Sequence, residues 1–258
     1  MTAVEVHAVV EGPAEAPVLL LSNSLGSDLS MWDPQVPALT ERFRVVRYDT
    51  RGHGRSPSGP GDATIDDLAD DVVALLDRLG VARAHVAGVS IGGMTGLRLA
   101  VREPQRVLTL AVLCSSAHTG NAASWADRAR TVRAEGTGAI AEPVVSRWLT
   151  PPYAAAHPEL VARLQAMVAA ADDEGYAGCC AAIERMDQRA DLHRITAPTL
   201  VVSGAEDQAV PPEHQQLIAD GVPGARLLSL SPAAHLANLE QPEQVSRALI
   251  AHATGGTP

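Results

Sequence analysis

The chain has 258 residues, 46% hydrophobic and 19% charged, enough to bury a sizeable core as one large domain or as a core with an insertion. All 20 of its Lys+Arg residues are arginine, which leaves a Schiff-base lysine, a pyridoxal lysine or a P-loop lysine no residue to act through. The formal charge of −10 argues against nucleic acid or an anionic membrane as partner, so an anionic substrate would need a local arginine.

Apolar runs of strand length alternate with amphipathic helical stretches, the pattern of a mostly parallel sheet covered by helices on both faces. Strands are expected at residues 4–10, 18–22, 44–48, 85–87, 107–113, 199–203 and 226–230. Several are continuously apolar, as central parallel strands are. The clearest helix runs from Thr64 as N-cap to Gly80 as stop, with Asp66 and Asp67 in its first turn. Its stripe of Ile65, Leu68, Val72, Leu75, Leu76 and Leu79 turns Asp70, Asp71, Asp77 and Arg78 outward, which predicts a solvated charged face. From about residue 119 to 190 the strand pattern gives way to Ala-rich helical stretches such as 158–171, and it resumes at 199. The expected organisation is a core of residues 1–118 and 191–252, a helical lid insertion over 119–190, and a flexible tail over 253–258. Cys114, Cys179 and Cys180 are too few for a disulfide framework and lack metal-ligand spacing. No metal or other cofactor is expected, and a reducing cytoplasm is the expected compartment. The first residues have no basic or apolar leader pattern, and apolar runs stay far below the about 20 residues that span a bilayer.

The sharpest local signal is G-V-S-I-G at residues 88–92, between a strand and a helix-like run. A serine forced onto a sharp strand-to-helix turn needs small neighbours two residues to either side, which Gly88 and Gly92 supply. A helix-start turn capped by Ser90 is the bland alternative. A hydroxyl near its free pKa is a weak nucleophile, so a base and a group orienting that base must accompany it. In this architecture they follow in the order Ser, acid, His, on loops at the carboxyl edge of the sheet. Glu206 and Asp207 follow the strand at 199–203, and His235 follows the strand at 226–230. Asp207 is preferred as the acid, although spacing alone does not separate it from Glu206. His53, in the Gly-rich loop after residue 48, is the nearest rival base, but its upstream position breaks the order. His7, His157, His214 and His252 fall in expected surface segments, His85 lies in a strand, and His118 and His193 border the insertion, where they could face a cleft. An oxyanion needs aimed donors. The backbone N–H of Ile91 is one by construction of such an elbow. Leu25, in the loop after residue 22, is the candidate for the second, an ordinary polar turn being the alternative. In the insertion, Trp125 and Arg128 share a helix face and Arg147 adjoins Trp148, which offers an apolar wall and a planar donor fork. The competing reading has both Trp packing the insertion and both Arg solvated.

These motifs together resemble the α/β-hydrolase superfamily over nearly the whole chain. Within it, residues 21–35, 47–56 and 88–96, with 124–128, 147–151 and 175–182 of the insertion, are similar to the 3-oxoadipate enol-lactonase family. That resemblance implies a cofactor-free serine hydrolase of the β-ketoadipate pathway with Ser90, Asp207 and His235 as triad and Leu25 and Ile91 as oxyanion donors. A broader carboxylesterase, a cofactor-free perhydrolase or a non-catalytic binding protein on the same scaffold are the alternatives. The partners compatible with this reading are a small anionic lactone, a second copy of the chain in a homo-oligomer, and the decarboxylase of the preceding step, to which the enzyme is fused in some relatives. Cys179 departs from the family, standing where a polar residue, often Asn, is expected; if that side chain is instead small, buried and apolar, it does not touch substrate.

Overall fold

The computed structural model describes residues 3–256. Seven strands form one sheet: β1 (Ala8–Glu11), β2 (Val18–Ser22), β3 (Arg44–Tyr48), β4 (Ala84–Val89), β5 (Val107–Leu113), β6 (Thr199–Gly204) and β7 (Arg226–Leu230). Their spatial order is β1-β3-β2-β4-β5-β6-β7, with β1 antiparallel to β3 and every other pairing parallel. The central strands β2, β4 and β6 are buried at every position. Successive residues along them feed two separate apolar layers, as a period of two requires. Leu19, Leu21, Ala87 and Val89 enter one layer, and Leu20, Val86 and Val201 the other.

The first strand begins later than the expected 4–10, at Ala8. Upstream of it the backbone is claimed by side chains instead of a ladder: Val4 N–H donates to Asp71 Oδ1 at 2.6 Å, His7 N–H to Ser56 Oγ at 2.8 Å, and Arg78 Nη2 to Val6 O at 2.6 Å. The helix expected after Thr64 is Ile65–Arg78, with Thr64 and Asp67 bonding reciprocally as a capping box. Its polar face is not uniformly solvated. Asp71 is 2% exposed and holds the buried Arg51 through two bonds, Nε to Oδ2 at 2.6 Å and Nη2 to Oδ1 at 2.7 Å. The segment leading into β1 and the loop after β3 cover that side of the helix, which a single helix's periodicity does not reveal.

Between β5 and β6 the chain forms the helices Ala122–Glu135, Ala141–Val145, Pro151–Ala156, Pro158–Ala169 and Asp173–Arg185. Ala129, Val132, Leu164 and Tyr176 from this segment join the same apolar layer as Leu21 and Val89. The last helix, Pro242–Ala253, takes in the first residue of the expected tail, and residues 257 and 258 lie outside the described residues. Among the described residues no helix is long and apolar enough to cross a membrane.

Three histidines outside the loop after β7 are buried as neutral rings. His252, expected at the surface, is 6% exposed; its Nε2–H donates to Leu110 O at 3.0 Å and Pro198 O at 3.1 Å, and its Nδ1 accepts from Arg226 Nη2. His85 pairs with Thr109 Oγ1 at 2.9 Å. His53 bridges two loops, its Nδ1–H donating to Arg51 O at 2.9 Å and its Nε2 accepting from Gly26 N–H at 2.9 Å. Burial lowers the proton affinity of all three.

Two consequences are measurable. Asp71→Ala leaves Arg51 charged and buried without its partner and should cost about 3–5 kcal/mol of stability in urea titration; a cost below about 1 kcal/mol would place the pair among dispensable contacts. The depressed histidines hold no proton in the folded state where the unfolded chain takes one up, so stability is full above about pH 6.5 and is lost as pH falls below it. His252→Gln should shallow that acid slope, and an unchanged slope would clear His252 of any part in it.

Candidate active site

The turn from β4 into the helix Ile91–Arg102 places Ser90 at φ 56° and ψ −120°, a conformation that non-glycine residues rarely adopt. A Cβ on Gly88 would lie 2.3 Å from the Gly92 carbonyl, and one on Gly92 would lie 2.4 Å from Ser22 O, so only glycine fits at either position. The elbow is pinned from below: Ser90 N–H donates to Leu113 O at 2.9 Å, and Ser115 Oγ donates to Ser90 O at 2.6 Å. This is the sharp turn expected of the motif, and Ser90 is not a capping serine, since its side chain makes no cap bond.

Asp207 and His235 come from the loops after β6 and β7. His235 Nδ1–H donates to Asp207 Oδ2 at 2.9 Å, with both residues 3% exposed. The other carboxylate oxygen, Oδ1, accepts from Ala209 N–H at 2.8 Å and Val210 N–H at 2.9 Å, so the acid is oriented before it meets the ring. With Nδ1 donating, Nε2 is the lone-pair nitrogen. Glu206 points elsewhere: it accepts from Ser231 Oγ at 2.9 Å and from Ala233 N–H at 2.6 Å. Of the two candidate acids, it is therefore Asp207 that is hydrogen-bonded to His235.

Ser90 and His235 line one cavity of about 190 Å³, together with Leu25, Trp125, Arg128, Arg147 and Trp148. Among the described residues Ser90 Oγ has no hydrogen bond to the protein, leaving it to a substrate. Beside it the loop after β2 spends its N–H groups unevenly. Ser24 N–H meets Met31 Sδ, Gly26 N–H meets His53 and Ser27 N–H meets Ser24 O, whereas Leu25 N–H has no partner among the described residues. Ile91 N–H, at the first position of its helix, is free by helical geometry. His53, with both ring nitrogens bonded and outside the cavity lining, braces the Leu25 loop.

The helices between β5 and β6 supply the other wall. Arg128 Cζ sits 4.4 Å from the Trp125 ring centroid, a contact within the one helix face on which the i, i+3 spacing put the two residues. Neither Arg128 nor Arg147 forms an ion pair among the described residues, while twelve other arginines do, from Arg47 to Arg247. Burial first, and the neighbouring positive charge of Arg128 second, push the Arg147 pKa down. Tyr176 is buried beside both, its hydroxyl facing the Arg128 guanidinium and its pKa raised chiefly by burial. Trp148 does two things at once, being 3% exposed in the core and a cavity wall.

Sequence reasoning missed several polar residues of the wall, Thr119, Asn121 and His214 among them. His214, expected at the surface, lines the cavity with Nδ1 2.9 Å from the buried Ser116 Oγ. Only the adjacency of the loops after β5 and β6 brings them together, and nothing local in the sequence signals it. His118 and His193 do not line the cavity; His118 Nδ1 faces Met186 O at 3.2 Å and His193 is exposed. Cys179 and Cys180 are fully buried and outside the cavity lining, so the departure at Cys179 is a matter of packing. A second cavity of about 610 Å³ shares Arg147 but contains neither Ser90 nor His235. Among the described residues no cluster of three or more His, Cys, Asp or Glu could hold a metal ion.

Comparison with known proteins agrees with this architecture. A family model described as the alpha/beta hydrolase fold matches residues 17–242. The chain is 40% identical over 238 residues to 3-oxoadipate enol-lactonase 2 of Acinetobacter baylyi, covering 92% of this chain and 89% of that protein. It is 33% identical over 254 residues to a putative carbamate hydrolase, RutD, of Stutzerimonas stutzeri, covering 96% and 95%. Among solved structures, the enol-lactonase from Burkholderia xenovorans LB400 superposes with a TM-score of 0.94 at 40% identity, covering 96% of both chains. The sheet, the serine elbow and these relatives together make the chain a member of the α/β-hydrolase family and a hydrolase.

Proposed function

We propose that the protein opens 3-oxoadipate enol-lactone to 3-oxoadipate, with Ser90 as nucleophile, His235 as general base and acid, and Asp207 orienting the imidazole. The observation that carries the reading is the coincidence, in one small cavity, of an unbonded Ser90 hydroxyl, a carboxylate-oriented His235 and two arginines without carboxylate partners. The volume is below the roughly 300–1,000 Å³ of drug-sized pockets, which suits a compact metabolite. In a chain of charge −10, a pair of mutually repelling guanidiniums at such a wall is stabilised by a bound anion.

Ser90 Oγ adds to the lactone carbonyl as His235 Nε2 takes its proton, and the oxyanion forms toward the N–H groups of Leu25 and Ile91. Collapse breaks the ring C–O bond and expels an enolate, which His235 protonates; tautomerisation to the ketone draws the ring opening forward. The acyl group stays on Ser90 until a water, deprotonated by His235, releases the dicarboxylate. Throughout, the substrate's own carboxylate lies toward Arg128 and Arg147, with Trp125 and Trp148 as the apolar wall, the helical segment 119–190 serving as a lid. No cofactor takes part. The enol-lactonase relatives support this substrate, and the RutD relatives make carbamates the comparison substrate.

Ser90→Ala or His235→Ala should lower kcat by roughly 10⁴- to 10⁶-fold in a lactone assay, and Asp207→Asn by about 10⁴-fold through the wrong imidazole tautomer. Glu206→Gln should keep the chemistry; near wild-type turnover by Asp207→Asn beside collapse in Glu206→Gln would reverse the assignment. Arg128→Met should raise KM for the anionic lactone about ten-fold or more, on the order of 1.5–3 kcal/mol for a lost charge-assisted hydrogen bond, with little change for a neutral aryl ester. Equal losses on both substrates would mean a folding defect, and faster turnover of carbamates than of the lactone would move the substrate assignment to that class.

A further inference from the structure

The loop that carries His235 is held by acceptors on either side of the ring. Before it, Ala233 N–H donates to Glu206 Oε2 at 2.6 Å and Ala234 N–H to Glu240 Oε2 at 2.6 Å. After it, Leu236 N–H donates to Trp148 O at 2.9 Å. The second oxygen of Glu240 reaches the same stretch as Trp148: Oε1 accepts from Thr150 N–H at 2.9 Å and from Thr150 Oγ1 at 2.6 Å. Both residues flanking His235 are thus tied to residues 148–150, one directly and one through Glu240. Glu240 is 7% exposed and takes these three bonds from neutral donors, with no arginine paired to it among the described residues. An ionised carboxylate suits the place because it accepts at both oxygens and donates at neither. A glutamine there would turn an amide NH₂ against donors on one of the two sides.

We propose that Glu240 is a positioning residue that locks the His235 loop to the helical segment supplying Arg147 and Trp148, so that the base and the substrate wall keep one register. Glu240 touches neither substrate nor Ser90, and it acts through His235; the proposal rests on the serine mechanism given above. Its effect belongs to the chemical step: displacement of the imidazole slows proton transfer from Ser90 while leaving the affinity for a neutral ester in place.

The test compares Glu240→Gln, Thr150→Val and the double variant, each normalised to the folded fraction measured by thermal melting. Two rates are read, kcat on a neutral aryl ester and phosphonylation of Ser90 by a fluorophosphonate. Glu240→Gln should lower both rates by about 10- to 100-fold with KM changed by less than about two-fold. Thr150→Val, which removes a single hydroxyl donor, should lower them by about three- to ten-fold, and the double variant should be no slower than Glu240→Gln because Thr150 acts through the same carboxylate. Lower melting temperatures with unchanged rates per folded molecule would overturn the proposal, as would effects that multiply in the double variant. A wild-type protein that fluorophosphonate leaves unlabelled would instead overturn the serine mechanism itself.

Discussion

The backbone at Ser90 is the constraint on which the site depends. A β-strand delivers its side chains to alternate faces and a helix begins by turning its first N–H groups outward; joining the two in one residue requires φ 56° at a position that must also carry a side chain. The cost is offset where the surroundings leave no alternative. Gly88 and Gly92 let β4, the helix and the β2 loop approach to distances that a methyl group would forbid, and the bonds from Ser90 N–H and from Ser115 hold the turn from the neighbouring strand. The same close approach brings the Leu25 loop alongside the helix N-terminus, so the unbonded hydroxyl and the two unspent N–H groups have one geometric origin.

The remaining parts are arranged by the parallel sheet, whose carboxyl edge gathers loops distant in sequence. The loops after β2, β4, β5, β6 and β7 all contribute to the cavity. Three of them are stiffened by bonds of their own: His53 braces the first, Ser115 the elbow, and the N–H groups of Ala209 and Val210 the carboxylate of Asp207. A rigid support of this kind fixes catalytic groups more tightly than loop packing alone.

What was legible in the sequence was what is written locally. The serine elbow, the strand-bounded positions of Asp207 and His235, and the i, i+3 pairing of Trp125 with Arg128 all rest on short spacings, and the structure places them accordingly. Asp71 was misread because a helical wheel sees only its own helix, whereas Arg51 and the segment before β1 arrive from elsewhere. His252 and His214 were assigned to the surface for the same reason; one is covered by the carbonyls of Leu110 and Pro198, the other turned into the cavity beside Ser116. Glu206 and Asp207 could not be ranked by spacing, since adjacent residues on a turn differ only in direction.

The two arginines without carboxylate partners carry a consequence for the protein at rest. Their like charges oppose each other across a half-buried wall, which favours uptake of a small carboxylate that relieves the repulsion. Binding energy drawn from that relief stabilises the folded chain in proportion to the logarithm of anion concentration. In the proposed reaction the dicarboxylate product meets the same two arginines as the entering lactone, so the device that captures substrate also retards product departure. On the proposed reading carboxylate buffers compete for the same wall, which ties the apparent affinity for an anionic substrate to the anionic composition of the medium and to its ionic strength.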